Sequence, residues 1–137
     1  VLGSAGEVED LVQETYLRAV RSLDGFRGDA PVLAWLLSIA RHVCADHVRA
    51  RQRRRRLTQR LAAFEPDPVV PQPGEPVDDL LHALDPDRRD AFVLTQIVGL
   101  SYEDTAAVLG CPIGTVRSRV ARARADLSAA LRRAESR

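Results

Sequence analysis

Lysine and methionine are absent from this 137-residue chain, and aromatic residues make up only 4% of it. All 20 basic residues are therefore Arg, whose planar guanidinium stays charged and suits contact with phosphate. With so few aromatic side chains, any core must be built from Leu, Val, Ile and Ala. The net charge is only +1, so the chain as a whole is neither strongly basic nor strongly acidic.

Cysteine and histidine are too sparse to form a metal or redox motif. Cys44 and Cys111 lie far apart without a CxxC pair. A disulfide between them stays open, but two packed thiols are the expected state. The three histidines, His42, His47 and His82, form no HExxH motif and no His/Cys cluster. We therefore expect no metal and no cofactor.

Catalytic and membrane-spanning motifs are missing as well. No Gly-rich phosphate loop, nucleophile elbow or convergent pair of carboxylates is present, so catalysis has no candidate residue. No apolar run approaches the ~18 residues that cross a membrane, and no signal peptide opens the chain. The sequence predicts a cytoplasmic protein that is not an enzyme and does not insert into a membrane.

Charge is segregated along the chain despite the low total. Residues 41–60 hold eight Arg and one acid, a net charge of +7, and residues 111–133 hold six Arg and one acid, a net charge of +5. Residues 1–30 and 65–90 are acidic, with net charges of −3 and −6. Two basic blocks between acidic ones indicate two contacts with a polyanion, although a solvated helix face also explains a run of Arg.

Proline divides the chain into two parts. Five prolines fall within residues 65–76, which excludes a helix or a central strand there. No strand alternation is visible elsewhere, whereas helical spacing of apolar residues is clear. We predict an all-α protein of two small helical domains, residues 1–60 and 79–137, joined by a Pro-rich acidic linker at residues 61–78.

Apolar spacing places two helices in the first part. The first carries a stripe that should face a core and ends at Asp24-Gly25; the stripe consists of Val8, Leu11, Val12, Tyr16, Val20 and Leu23. The second should start at Asp29 or Ala30 with Pro31 in its first turn. Its stripe consists of Val32, Trp35, Leu36, Ile39, Ala40, Val43 and His47 or Val48.

A helix-turn-helix layout is the strongest local signal of the second part. Asp85-Pro86 opens a helix that leads to Gly99, and Ser101 then caps a shorter helix that stops at Gly110. A turn at residues 111–114 follows, and then an Arg-rich helix. Gly110 supplies the left-handed backbone position that such a turn needs.

At ~100° of rotation per residue, the residues of the last helix fall on two opposite sides. One buried side is predicted; it consists of Val116, Val120, Ala123, Leu127 and Leu131. The opposite, exposed side consists of Thr115, Ser118, Arg119 and Arg122. Hydroxyls and Arg at the start of such a helix reach base edges and phosphates in a major groove, while Arg117 and Arg124 lie at the flank.

Two blocks of the sequence together resemble the bacterial extracytoplasmic-function (ECF) sigma factors. The first block is VEDLVQETYLRA at residues 8–19, continuing through residues 26–29 to residues 35–42. The second is LDPDRR at residues 84–89, then GLSYED at residues 99–104 and CPIGTVRSR at residues 111–119. Both blocks stand in the family's order and cover nearly all of the chain outside the linker.

The resemblance implies three binding surfaces. Asp10, Gln13 and Glu14 match the motif that contacts core RNA polymerase, whose β′ and β subunits are the expected partners. The residues that match the surface for the minus-ten element of promoter DNA are Phe26, Arg27, Gly28, Asp29, Trp35, Arg41, His42 and Arg49. The helix-turn-helix matches the domain that reads the minus-thirty-five element, with Thr115, Arg117, Ser118, Arg119 and Arg122 as the expected contacts.

The resemblance also implies regulation and a missing segment. An anti-sigma factor is expected to hold the protein inactive, and the family's first helix, which precedes Val8, is expected to be missing from this chain. The alternative interpretation is a helix-turn-helix repressor or the output domain of a response regulator. That alternative explains residues 100–133 but not the Asp10–Glu14 motif.

Overall fold

The structure, a computed structural model, describes residues 5–61 and 76–137. Helices and turns account for these residues and no strand occurs among them, which confirms the all-α prediction. Most of the predicted linker, residues 62–75, lies outside the described residues. The described chain divides into two compact units, one of residues 5–27 and 35–61 and one of residues 28–34 and 76–137.

Helix α1 spans Ala5–Arg21 and is followed by a short 3-10 turn at Leu23–Gly25. Glu7 in its first turn and Arg18 and Arg21 in its last turn complement the helix dipole. The predicted core stripe is wrong for most of its members. Leu11 is buried, whereas the others are 41% to 71% exposed; they are Val8, Val12, Tyr16, Val20 and Leu23.

The reason for this difference is the side on which α1 meets its neighbour. Polar contacts to the second helix come from Glu7 and Arg18, which share a side of α1 with Leu11. At ~100° per residue, that side lies roughly a third of a turn from the centre of the predicted stripe. The periodicity correctly identifies an apolar side of α1, but α2 contacts a different side.

Helix α2 spans Val32–Leu61 and is the longest element. It begins after Pro31 rather than around it, so Pro31 is not in the first turn and Val32 is exposed. Its stripe otherwise behaves as predicted. Val43 is buried, and the other members after Val32 are half-buried. The helix continues without a break through the whole Arg run, which the sequence did not predict.

Helices α3 (Pro76–His82) and α4 (Pro86–Phe92) open the second unit. The sequence does not predict α3, because Pro76, its first residue, ends the proline-rich stretch. Asp85 caps α4 as predicted: its carboxylate accepts from the Asp87 amide at 3.1 Å, and Pro86 occupies the first helical position. The Arg89 guanidinium donates to the carbonyls of Leu81, His82 and Leu84 at 2.9 to 3.0 Å. Arg89 thereby ties the end of α3 to α4.

A single π turn, Val93–Ile97, follows α4 and leads to helices α5 (Tyr102–Leu109) and α6 (Ile113–Glu135). The hydroxyl of Ser101 accepts from the Asp104 amide at 3.0 Å, which confirms the predicted cap. Gly110 ends α5 in the left-handed conformation, with φ 65° and ψ 38°. The helix-turn-helix prediction is confirmed by this geometry.

The core of the second unit lies between α4, α5 and α6. Ala91, Leu109, Val116 and Val120 form its centre, and the half-buried residues packed around them are Leu94, Tyr102, Ala106 and Cys111. The predicted buried side of α6 is correct for Val116, Val120 and Ala123. It is wrong for Leu131, which is 50% exposed because α6 extends past the elements that cover its first turns.

The turn at Gly110 should control the stability of the helix-turn-helix. A Cβ at Gly110 would meet no neighbour within 4 Å, so Gly110→Ala tests the left-handed backbone alone. We expect a loss of roughly 1–2 kcal/mol in the free energy of unfolding. Gly114→Ala, inside α6 and equally unobstructed, is the matched control and should leave stability unchanged or raise it by up to about 1 kcal/mol. Urea denaturation of both variants measures this, and equal effects would contradict the expectation.

Candidate functional site

The start of α6 presents a polar surface to solvent. Arg117, Ser118 and Arg122 are exposed, and Thr115 is half-buried with its carbonyl accepting from the Ser118 hydroxyl at 3.0 Å. Among the described residues, neither Arg117 nor Arg122 has an ion-pair or hydrogen-bond partner. These two guanidinium groups are therefore available to an anion.

Arg119 differs from the exposed position that the sequence predicted for it. Its side chain is only 26% exposed and lies 3.7 Å from the Asp87 carboxylate at the start of α4. It also donates to the Cys111 sulfur at 3.8 Å. On the helical wheel Arg119 borders the buried side, so α4 and the turn draw it back against the domain. Arg119 braces the helix-turn-helix rather than extending from it.

Two further contacts fix α6 and were missed at the sequence level. Arg124 donates to the Gln96 side-chain oxygen at 2.6 Å, and Arg88 pairs with Asp126 at 2.6 Å. The first contact agrees with the predicted flanking position of Arg124. The partners are 28 and 38 residues apart in sequence, so no local spacing could have revealed them.

The proposed minus-ten residues begin with an aromatic pair. The rings of Phe26 and Trp35 lie 4.9 Å apart between centroids at an angle of 41°, and both side chains are half-buried. Arg27, Gly28 and Asp29 are each exposed, and Gly28 has a φ of 75°. The sequence placed Phe26 and Trp35 at one site, and the structure brings their rings into contact.

A single face of α2 continues from Trp35. His42 and Arg49 follow at intervals of seven residues, which at ~100° per residue keeps all three within about 40° of each other. His42 is exposed, and its Nδ1 lies 2.7 Å from the Ser38 carbonyl oxygen. Arg41 is half-buried and lies on another side of the helix, away from this face.

Asp46, the one acid within the basic block, joins α1 to α2. Its carboxylate accepts from Arg18 of α1 at 2.9 Å and from Arg49. These two bonds, first that from Arg18, hold the pKa of the Asp46 carboxyl below its usual value. The bond to Asp46 and then that to Glu14 raise the pKa of Arg18, which stays charged. Arg49 is thus partly neutralised, although its side chain remains 61% exposed.

The proposed polymerase-binding residues divide into two groups. Asp10 and Gln13 are exposed on α1, and Asp10 has no partner among the described residues. Glu14 is half-buried and binds Arg18 at 2.9 Å. The structure therefore leaves Asp10 open while Glu14 takes part in the network around Asp46.

A second ionic contact between α1 and α2 lies at Glu7. Its Oε1 is 2.8 Å from His47 Nε2 and 3.6 Å from Arg51. Sequence reasoning assigned His47 to an apolar stripe and gave Glu7 no role. The four-residue spacing of His47 and Arg51, which places both on one side of α2, was the available signal.

Among the described residues there is neither a metal-binding cluster nor a membrane-spanning helix. No group of three or more His, Cys, Asp or Glu side chains there could hold a metal ion, and Cys44 and Cys111 form no disulfide. No described helix is long and apolar enough to cross a membrane.

Comparison with known proteins covers both parts of the chain. The family Sigma-70 region 2 matches residues 1–54, and Sigma-70, region 4 matches residues 74–127. The ECF RNA polymerase sigma factor SigC of Mycobacterium tuberculosis is 43% identical over 136 residues, covering 93% of this chain and 72% of that protein. The ECF RNA polymerase sigma-E factor of Escherichia coli K12 is 36% identical, covering 88% of this chain and 71% of that protein.

Solved structures give the same result. The sigma factor RpoE of Bartonella quintana, crystallised with the anti-sigma factor NepR, matches with a TM-score of 0.79 and 34% identity over 95% of this chain and 84% of that chain. CnrH, in complex with the cytosolic domain of CnrY, matches with a TM-score of 0.71 and 37% identity over 95% of this chain and 75% of that chain. The chain belongs to the ECF sigma factors.

An ECF sigma factor is an alternative sigma factor, a transcription initiation subunit that binds core RNA polymerase and directs it to specific promoters. The resemblance drawn from the two sequence blocks is thereby confirmed. The alternative of a repressor or a response-regulator output domain accounts for the helix-turn-helix alone. It leaves the region 2 match over residues 1–54 without an explanation.

The lowered pKa of Asp46 predicts how this sigma factor responds to acid. A carboxyl with a lowered pKa stabilises the fold above its ordinary pKa, and that stability is lost as pH falls through the lowered value. Asp46→Asn should therefore destabilise the protein at pH 7, and the difference from wild type should shrink once pH falls below about 3.8. The urea denaturation midpoints of the variant and the wild type, at pH 7 and below about pH 3.8, measure this difference in stability. A difference that stays constant with pH would contradict the role of the charged carboxylate.

Proposed function

We propose that this sigma factor reads the minus-thirty-five element with the start of α6. Thr115, Arg117, Ser118 and Arg122 supply the contacts, and Arg119 holds α6 in place through Asp87 and Cys111. The exposure of Arg117 and Arg122, without a carboxylate partner among the described residues, is the observation that carries this assignment. An Arg already paired within the fold would have to break that pair before it bound DNA.

The minus-ten element is assigned to residues around and after the start of α2. The contacting pair of Phe26 and Trp35 provides rings on which an unstacked base can stack. His42 and Arg49 continue the same side of α2 toward the phosphate backbone. Arg27, Gly28 and Asp29 are exposed beside this pair in sequence, and Arg41, half-buried on another side of α2, belongs to the same assignment. These roles follow from the family resemblance and agree with the exposure of each side chain.

Core polymerase is assigned to the acidic side of α1. Asp10 and Gln13 offer an open carboxylate and an open amide, while Glu14 positions Arg18. The protein would have no catalytic activity of its own and would act in the cytoplasm, where RNA polymerase is found. The division of the chain into residues 1–60, a linker at 61–78 and residues 79–137 belongs to the same proposal.

Regulation by an anti-sigma factor is also part of the proposal. The sigma factor RpoE, which is similar over 95% of this chain, was crystallised with the anti-sigma factor NepR. The apolar side chains that α1 leaves exposed, among them Val12, Tyr16 and Val20, provide the kind of surface that a protein partner covers.

Run-off transcription tests the function directly. Purified chain added to core RNA polymerase should produce discrete transcripts from a genomic promoter library, each starting downstream of shared minus-ten and minus-thirty-five sequences. Core polymerase alone is the control. Transcription that is identical with and without the chain would overturn the proposal.

Arg122 and Arg119 should differ in what their loss affects. Arg122→Ala should weaken binding to a minus-thirty-five duplex by roughly 1–3 kcal/mol and relax preference at one base, with unfolding unchanged. Arg119→Ala should weaken binding together with stability, since it removes the contacts to Asp87 and Cys111. Arg133→Ala, an exposed charge near the end of α6, is the control. Fluorescence anisotropy and urea denaturation separate the two effects, and a wild-type affinity for Arg122→Ala would place the recognition side elsewhere.

Asp10 should matter to polymerase because its carboxylate is open. Asp10→Arg replaces an exposed acid by a base and should abolish co-purification with core polymerase without altering the helix-turn-helix. Asp24→Arg makes the same change of charge in the turn after α1, outside the proposed surface, and should leave association intact. Equal recovery of polymerase with both variants would show that α1 is only a solvated acidic surface.

A further inference from the structure

Polar contacts reach α6 at both edges of its buried side. That side is centred between Val116 and Val120, which lie at about 0° and 40° when each residue turns the helix by ~100°. Arg119 and Asp126 fall at about −60° and −80°, and each pairs with a charged residue of α4. Arg124 falls at about 80°, on the opposite edge, and is bonded to the π turn. The two elements that precede the helix-turn-helix therefore hold α6 from two directions.

Contacts at both edges fix the rotation of α6 about its own axis. Apolar packing is non-directional and tolerates a small rotation, whereas a hydrogen bond holds its two atoms within a narrow range of distance and angle. A rotation of about 15° would move a side-chain tip 5–6 Å from the axis by roughly 1.5 Å. A shift of that size is enough to take the guanidinium of Arg122 out of hydrogen-bond reach of a base edge.

A buried hydroxyl orients the amide that holds Arg124. Thr95 is 8% exposed, and its hydroxyl donates to the Ala91 carbonyl at 2.7 Å. With its hydrogen used, the hydroxyl oxygen accepts from the Nε2 of Gln96 at 3.2 Å. The Oε1 of Gln96 is thereby turned to Arg124, from which it accepts at 2.6 Å. This chain of bonds runs from the buried backbone of α4 to the surface of α6.

The π turn determines where this chain begins. The Val98 amide donates to the Val93 carbonyl at 2.9 Å, five residues back rather than four. The additional residue rotates the side chains of the turn away from the positions that an unbroken α4 would give them. Thr95 is buried in this arrangement, while Gln96 next to it is exposed and reaches α6.

The bond between Gln96 and Arg124 acts on geometry more than on stability. Both side chains are exposed, so water replaces much of what the bond contributes when it is lost. Its direction is nevertheless fixed at one end by Thr95 and at the other by the backbone of α6. Loss of this bond should therefore change the rotation of α6 while most of the stability of the unit remains.

We propose that Gln96 is a positioning residue for minus-thirty-five recognition. Oriented by Thr95, it holds Arg124 and so fixes the rotation at which α6 presents its exposed side to DNA. The inference rests on the proposed function in one respect, namely that this exposed side reads bases. Gln96 acts through α6 and has no contact with a base of its own.

Base preference measures the rotation separately from folding. Gln96→Met keeps the length of the side chain but removes its oxygen, and Ile97→Ala, at a 59% exposed neighbour in the π turn, is the matched control. The probes are a duplex that the wild-type full chain selects from a randomised library and a scrambled duplex. The ratio of the two affinities should fall roughly two- to tenfold in Gln96→Met and stay unchanged in Ile97→Ala. A loss of folded protein alone would lower both affinities equally.

Two further measurements support the assignment. Gln96→Glu keeps an oxygen acceptor for Arg124 and should restore most of the affinity ratio. Without DNA, the backbone amide resonances of residues 115–122 should shift in Gln96→Met and not in Ile97→Ala. If the wild-type chain selects no sequence, the proposed function fails, while these resonances still report on the rotation of α6.

Three outcomes would overturn the role of Gln96. An unchanged affinity ratio in Gln96→Met would show that base reading does not depend on the contact. An equal fall in both affinities, with the ratio intact, would mean that Gln96 only supports folding. Amide resonances of α6 that stay in place in Gln96→Met would show that something else fixes the rotation.

Discussion

The ion pair between an Arg guanidinium and a carboxylate is the interaction on which the arrangement of helices depends in both units. In one unit, Asp46 of α2 binds Arg18 of α1, and Glu7 of α1 lies near Arg51 of α2, and these two pairs set how α1 lies on α2. In the other, Asp126 holds Arg88, which fixes α6 against α4. Exposed pairs of this kind contribute little stability individually. Their larger effect is on geometry, because each pair permits only a narrow range of helix positions.

The two units depend on these pairs to different degrees. The second has an apolar core in which Val116, Val120 and Ala91 are almost completely buried, so this core acts together with its ion pairs in fixing the helices. The first buries Leu11, Ala19 and Val43 but leaves much of α1's apolar side exposed. Burial of apolar surface contributes roughly 25 cal/mol per Å², so the first unit gains less from its core and relies more on its charged contacts. Charge pairing is therefore of greater consequence in the first unit than in the second.

Local rules predicted the parts of the fold that depend on neighbours in sequence. The caps at Asp85 and Ser101, the left-handed Gly110 and the buried side formed by Val116 and Val120 all follow from residues a few positions apart. The orientation of Arg119 was not predictable in this way, because Asp87 draws it back from 32 residues away in the chain. The exposed stripe of α1 failed for a related reason: periodicity identifies an apolar side but cannot say whether a neighbour covers it.

The candidate binding surfaces show the same difference between what neighbours in sequence predict and what distant residues determine. The resemblance groups Arg117, Arg119 and Arg122 together. The structure shows that Arg119 lies against Asp87, whereas Arg117 and Arg122 are exposed and have no partner among the described residues. Asp10 and Glu14 were named together as well, and Glu14 proved to be held by Arg18. A sequence motif identifies the candidate residues of a surface. The distance from each side chain to its partners shows whether that side chain is held within the fold or is open to a ligand.

The exclusive use of Arg fits this double role. Arg89 reaches three carbonyl oxygens at once, which requires several N–H groups held in one plane. A Lys ammonium is a compact point charge and could not span Leu81, His82 and Leu84 in the same way. The same planar group, left unpaired, binds phosphate with two parallel hydrogen bonds. Arg can thus either join two parts of the fold or stay open to an anion. An Arg with an acceptor within the fold takes the first role, and an Arg without one can take the second. Residues 47–64 contain no acid, so along the last turns of α2 no carboxylate close in sequence is offered to the guanidinium groups.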